Sequence, residues 1–331
     1  MEKFISVIIP NYNGSATIGK CLEAAFASAY GNFEVVVVDD CSHDNSAVII
    51  KQFPCRLIEL NTHGGAAKAR NAGALQCRGE VFFFIDADCL LSVDTLSLAN
   101  RAITGAGPDT VIGGTYTPIP HDKDFFSTFQ SIFIYYSEIK NTGRPDYIAT
   151  HAMVISAETF REAGGFNEDF LPILEDVEFS HRLKRGGCRL VMDPGITVCH
   201  IFNFTLKRSL LNAYRKARYW TIYSLVNGDI LKDSGTASRE LKVNGLAYCA
   251  CQLCLLSFVL TGAAAWLFLL AFFLGLNICV SRGLLTGFYK ASGFQFALRA
   301  ALYYLMLYPA PVWVGTVAGL AASVRQRGKF T

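Results

Sequence analysis

Residues 246 to 281 of this 331-residue chain carry no charged side chain, and no other feature restricts its fold as strongly. As one helix they would measure about 54 Å, against roughly 30 Å for the hydrocarbon core of a bilayer. Two spans turning near Thr261-Gly262 fit that length. The hairpin returns an expected loop with Arg282, Lys290 and Arg299 to the cytoplasmic side, where basic residues accumulate. A second uncharged stretch covers 300–324, where Pro309-Ala310-Pro311 predicts either a kinked third span or a re-entrant hairpin. A basic tail with Arg325, Arg327 and Lys329 occupies 325–331. Mean hydropathy of +0.31 and 52% apolar residues agree with a membrane region of about 244–324.

Residues 1–204 read instead as a globular domain. Phe4 to Pro10 runs straight into a strand pattern without a basic flank or cleavage site, so no signal peptide is expected and the globular part stays in the cytoplasm. The eleven cysteines are scattered and lie mainly in apolar runs, which predicts reduced thiols. Cys251 and Cys254 have metal-pair spacing but no second pair, so no zinc site is expected. A net charge of +3 is too small to argue for a nucleic-acid partner.

Strands are predicted at Ile5–Ile9, Phe33–Val38, Leu57–Leu60 and Val81–Ile85, separated by helices at 16–29, 46–53 and 66–75. That alternation predicts an α/β fold with a mostly parallel sheet, whose ligands bind beyond the carboxyl ends of the strands. Asn11, Asp39, Asp40 and the turn Asp86-Ala87-Asp88 all fall there. Two carboxylates one residue apart repel unless a cation lies between them, and oxygen ligands suit Mg²⁺ or Mn²⁺ on a diphosphate. A solvated acidic turn is the plainer alternative.

His63 to Gly73, HGGAAKARNAG, is a glycine-rich helix start that matches neither a P-loop nor a dinucleotide fingerprint. Its Arg70 offers a planar fork for phosphate or base oxygens, or else is an exposed helix residue. Glu175 and Asp176 open another helix, as caps or as a carboxylate suited to take a proton from a hydroxyl. His200 ends a strand and is a candidate metal ligand. The aromatic run Phe125 to Lys140 reads as a helix that packs in a core. Residues 205–243 form a linker containing an amphipathic interfacial helix, with Lys207, Arg208, Arg215 and Arg218 on one side facing lipid head groups or a lipid-linked acceptor.

Taken together, SVIIPNYN, VVVVDDCS, GGAAKARNAG, FFFIDAD, GGFNE, EDVEFSHRLKRGG and VCH, in that order over residues 4 to about 200, resemble the family 2 glycosyltransferases. The resemblance implies a GT-A fold and an inverting transfer from a nucleotide sugar, UDP-sugars being favoured. It implies that Pro10, Tyr12, Asn13, Asp39, Asp40, Arg70 and Ala87 line the donor nucleotide. Asp86, Asp88 and His200 would hold a divalent cation, Mg²⁺ or Mn²⁺. Asp176 would act as the general base with Glu175 beside it. The expected acceptor is lipid-linked or a growing polysaccharide at the cytoplasmic leaflet of the inner membrane, and membrane lipids are expected partners, in a bacterial envelope pathway. Three alternatives stay open: transfer to polyprenyl phosphate itself, nucleotidyl transfer on a similar fold, and a non-enzymatic membrane-bound glycan-binding scaffold.

Overall fold

The computed structural model describes residues 2–326. The chain forms two compact units. One contains the residues up to Lys123 together with Glu138–Asn203, and the other contains Asp124–Ser137 together with the chain from Phe204 onward.

The first unit is built on β1 (Ile5–Asn11), α1 (Ile18–Phe26), β2 (Phe33–Asp39), α2 (Ser46–Ile50), β3 (Arg56–Glu59), α3 (Gly65–Gln76) and β4 (Val81–Phe84). There follow β5 (Cys89–Leu91), α4 (Thr95–Gly105), β6 (Thr110–Tyr116), the end of α5 (Phe125–Ile139), β7 (Met153–Ser156), α6 (Ala157–Glu162), α7 (Glu175–Arg185) and β8 (Arg189–His200). Its eight-stranded sheet has the order β3-β2-β1-β4-β7-β6-β8-β5. The strands predicted from the first four apolar runs are parallel neighbours, and β6 runs parallel to β8. The sheet is nevertheless mixed, because β7 is antiparallel to both β4 and β6, and β5 is antiparallel to β8. β4 is buried on both faces, which is why it reads as an unbroken apolar run. Phe82 and Phe84 pack on Phe160, and Phe84 also meets Phe166.

β8 runs through Asp193-Pro194-Gly195 as one strand, because its pairing jumps from Gly113↔Met192 to Thr115↔Thr197 and lets the intervening residues bulge. β5 is too short to show a period, yet it fixes the position of everything at the end of β4.

The second unit comprises the first thirteen residues of α5 with α8 (Leu206–Asn227), α9 (Arg239–Thr261), α10 (Ala265–Leu302), a π-helical segment (Tyr303–Leu307) and α11 (Pro309–Gln326). The α9–α10 turn falls where the sequence placed it: Gly262 takes φ 66°, a conformation glycine adopts without penalty, and its N–H returns to Phe258 O. Two helical stretches, Arg239–Thr261 and Ala265–Ser323, are long and apolar enough to cross a membrane. The segment with Arg282, Lys290 and Arg299, expected as a loop, is helical apart from Gly293 at φ 79°, since no strong breaker precedes that glycine. Irregular backbone accompanies Pro309-Ala310-Pro311, in the turn just before it. The irregularity comes at 303–307, and Pro309 and Pro311 stand in the first turn of α11, where their missing N–H groups cost nothing. Of the expected tail, Arg327 and Lys329 lie outside the described residues.

The aromatic run in α5 is core, as its spacing suggested. Phe129 packs against Phe288, Tyr303 and Tyr308, and Phe133 against Tyr304 and Tyr308. A buried polar chain accompanies it: Ser281 Oγ donates to Asn277 Oδ1, Asn277 Nδ2 to Asn244 Oδ1, and Asn244 Nδ2 to the Tyr304 carbonyl. α11 lies on α8 through Gly315 and Gly319. A Cβ at Gly315 would stand 2.4 Å from Tyr214 O, and one at Gly319 2.6 Å from Arg218 O. This small-xxx-small contact allows close approach of the two backbones. Gly315→Val is expected to push α11 off α8 and cost about 1–3 kcal/mol, read as a lower thermal midpoint in detergent.

Candidate active site

The site assembles at the carboxyl ends of β1, β2 and β4 and at the start of α7. Asn11 Nδ2 donates to Asp39 Oδ1 at 2.7 Å, and Ser42 caps the same carboxylate through its N–H at 2.9 Å and its Oγ at 2.6 Å. Asp40 accepts from Gly64 N and Gly65 N at 2.8 and 2.7 Å and so holds the amino-terminal backbone of α3. Both aspartates are buried, and their polar atoms here are engaged by protein groups. Tyr12 is 46% exposed and stacks on His63 at 4.1 Å between ring centroids. Asn13 lies beside it at φ 50°, its N–H bonded to Ser42 Oγ. Pro10 is the half-buried penultimate residue of β1, and Ala87 is half-buried between the two aspartates of the turn.

Arg70 joins the acidic turn to the acidic helix start. Its guanidinium is buried, with Nη2 on Asp86 Oδ1 and Nη1 on Glu175 Oε1, both at 2.7 Å, and it lies 5.8 Å from the centre of the Phe166 ring. Burial opposes ionisation of Asp86, but Arg70 outweighs it and holds the carboxyl below its ordinary range. Asp88 has no such partner and is pushed up to about 7, by burial and by the neighbouring Asp86. Asp176, the residue after Glu175, is also pushed up to about 7, by burial and then by Glu175, although it accepts from Val177 N at 2.8 Å. Leu174, just before the acidic pair, has φ 77°, a left-handed conformation rare for leucine that sets the direction of entry into α7.

The register Cys89↔His200 between β5 and β8 brings His200 Nε2 to 3.4 Å from Asp88 Oδ1. Phe202 stacks on His200, and Tyr116 meets it edge-on. Cys89 Sγ belongs to the same cluster, within 4.8 Å of the other two ligand atoms. Burial raises that thiol far above its usual range, and soft sulfur is a poorer match than oxygen for the hard cations that carboxylates favour. What remains is the Asp88 carboxylate and the His200 imidazole, with Asp86, the first aspartate of the turn, adjacent. The crowding that raises Asp88 is the kind a cation relieves, so these residues fit a divalent metal such as Mn²⁺ or Mg²⁺.

The structure therefore brings Arg70, Asp86, Asp88, Glu175, Asp176 and His200 into one constellation, with Asp39, Asp40 and Tyr12 along the neighbouring strand ends. Lys207, Arg208 and Arg215 are exposed on α8 in the second unit, and Arg218 is half-buried with its guanidinium 5.7 Å from the centre of the Tyr219 ring. Sequence reasoning passed over His63, whose proximity to Asp40 was legible only as a histidine opening the glycine-rich turn. It also passed over His151, which stacks on Tyr116 at 3.9 Å and lies 3.4 Å from Glu138 Oε2.

An eight-stranded mixed sheet with an acidic turn after its fourth strand defines the GT-A class of fold. A family model described as Glycosyl transferase family 2 matches residues 6–214, and the chain belongs to that family. Among curated relatives, Glycosyltransferase AglE of Haloferax volcanii is 29% identical over 205 residues, covering 60% of this chain and 66% of that protein. Glycosyltransferase GlyG of Streptococcus pneumoniae is 30% identical over 131 residues, 38% of this chain and 44% of that protein. The chain thus spans less than two thirds of the length of each of these relatives. The mannosyltransferase PcManGT of Pyrobaculum calidifontis, solved with GDP-Man and Mn²⁺, shares the fold with a TM-score of 0.57 over 98% of this chain and 87% of that one, at 19% identity.

Proposed function

We propose that this chain is a membrane-anchored inverting glycosyltransferase. It moves a sugar from a nucleoside-diphosphate donor, UDP-sugars being favoured, to a lipid-linked or polysaccharide acceptor at the cytoplasmic leaflet. The observation that carries this reading is the double ion pair of Arg70, which ties the acidic turn to the helix start that holds Asp176. Donor-side and base-side groups are thereby held in one frame before any ligand arrives.

On this reading Tyr12 offers the donor base an exposed ring, and Asp39 and Asp40 fix the loops around the nucleoside. Asp86, Asp88 and His200 would hold a divalent cation, which when bound neutralises charge on the diphosphate leaving group. Asp176 takes the proton from the acceptor hydroxyl. The oxygen attacks the anomeric carbon as the bond to the diphosphate breaks, and the electron pair leaves with the diphosphate, so configuration inverts in one displacement. Glu175, committed to Arg70, orients rather than reacts. α9 and α10 anchor the chain in the membrane, and the exposed cations of α8 suit an anionic leaflet or a phosphorylated acceptor.

A thermal-shift panel on detergent-solubilised protein with UDP, GDP, CDP and dTDP, each with Mn²⁺ or EDTA, tests the donor assignment. A diphosphate at a hundred times its dissociation constant adds about 2.7 kcal/mol to the folded state. One nucleotide is expected to stabilise the protein, and EDTA or Asp88→Ala to remove the effect. No shift with any of the four would count against the donor assignment. Tyr12→Ala should weaken that nucleotide about tenfold while Tyr12→Phe keeps the affinity, because the contribution is the ring face.

A further inference from the structure

One buried pair in the first unit has no part in the transfer chemistry. His151 and Glu138 are 6% and 9% exposed, and His151 Nε2 lies 3.4 Å from Glu138 Oε2. Thr115 Oγ1 donates to the same carboxylate oxygen at 2.7 Å. Burial opposes ionisation of the imidazole, but Glu138 outweighs it, and Asp86 and Asp176 act in the same direction. Apolar residues of similar volume often replace a buried ion pair without loss of stability, so stability alone gives no reason to bury a histidine here.

The rings around His151 supply a reason. Its imidazole stacks on Tyr116, with centroids 3.9 Å apart and planes 25° from parallel. Tyr116 is itself buried, and it meets His200 edge-on at 4.9 Å and 79°. It also meets Phe202, which closes the series by stacking on His200 at 3.8 Å and 15°. His200 is thus held on its face by one ring and at right angles by another, which leaves its plane little freedom to turn about χ2. That torsion decides whether Nε2 faces Asp88 Oδ1, from which it stands 3.4 Å. His151 backs Tyr116, and Glu138 with Thr115 backs His151. We propose that His151 is a positioning residue for the divalent-cation site, acting through Tyr116 to keep the His200 imidazole turned toward Asp88. The inference rests on the reading of His200 as a metal ligand.

The test uses the full chain in mild detergent and reads Mn²⁺ affinity from the electron paramagnetic resonance signal of the free ion, with no donor or acceptor present. His200→Ala should weaken Mn²⁺ at least about tenfold, and His151→Leu, which removes the backing ring, about tenfold. The double variant should bind Mn²⁺ no more weakly than His200→Ala alone, because His151 then has nothing to position. His151→Phe keeps a ring on Tyr116 but strips Glu138 of its partner. Its thermal midpoint should fall while Mn²⁺ affinity stays within about twofold of wild type, whereas a merely structural histidine would move both together. Tyr116→Leu should repeat the loss of affinity from the next ring in the series, which keeps the proposal testable if His151→Leu does not fold. Additive effects of His151→Leu and His200→Ala would overturn the proposal, as would wild-type Mn²⁺ affinity in Tyr116→Leu. Unchanged affinity in His200→Ala would overturn the ligand reading and the proposal with it, so the two failures are told apart.

Discussion

Asp176→Asn is expected to lower turnover by about 10² to 10⁴ while leaving the donor's dissociation constant unchanged. The amide keeps the shape of the side chain and its bond from Val177 N, so the fold has no reason to change; only the ability to accept a proton is lost. On the proposed mechanism the same residue sets the pH profile. Burial and Glu175 hold its pKa at about 7, and the base works only when ionised. Turnover should therefore fall tenfold for each pH unit below about 7 and level off above it, and Asp176→Asn should remove that limb. Stopped assays of sugar transfer across pH 5–9, with donor affinity measured separately, check both statements. Near-normal turnover in the variant, with the acidic limb intact, would exclude Asp176 as the base. It would instead favour an acceptor whose oxygen is already ionised, a phosphate.

The second large effect concerns Arg70. Replacing it by Met keeps most of the apolar stem but leaves Asp86 and Glu175 without their shared cation. Glu175 is 14% exposed and Asp86 34%, so solvent softens the loss more at Asp86. Breaking a buried pair by removing one partner costs about 3–5 kcal/mol, and we expect the lower end here. Arg70→Lys should recover part of it, since an ammonium cannot span both carboxylates in the planar fork that guanidinium provides. Urea denaturation gives the stability change. Mn²⁺ titration of the folded variant should show altered affinity, because Asp86 loses its counter-charge. Equal stability of wild type and Arg70→Met would contradict the central place given to this residue.

Much of this frame was legible in the residue order. The first four parallel strands announced themselves as apolar runs, and their acidic ends had to lie together because parallel strands present all their carboxyl ends on one edge. The α9–α10 turn at Gly262 was legible from length alone. The links across the site were not. Arg70 and Glu175 are 105 residues apart, and nothing local to either predicts a 2.7 Å contact. The meeting of His200 with Asp88 depends on β5, whose three residues carry no period. The π-helical segment was hidden for a similar reason, because prolines signal a break but not that they will serve as the first turn of the next helix. His151 and Glu138 are buried polar residues whose pairing only the packed sheet reveals.

The placement of α5 bears on how this protein can be made. The helix containing Phe129 and Phe133 is synthesised before Glu138–Asn203, yet the rings it packs against, Phe288, Tyr303, Tyr304 and Tyr308, lie in the last part of the chain. At about 5–20 residues per second, a ribosome leaves that aromatic face without its partners for on the order of ten seconds. A gene cut after Asn203 would leave it so permanently, and the product would carry an apolar helix stripped of the rings that cover it. A soluble version of the sheet-bearing unit therefore calls for replacing 124–137 with a polar linker, and not simply for a stop codon ahead of α8.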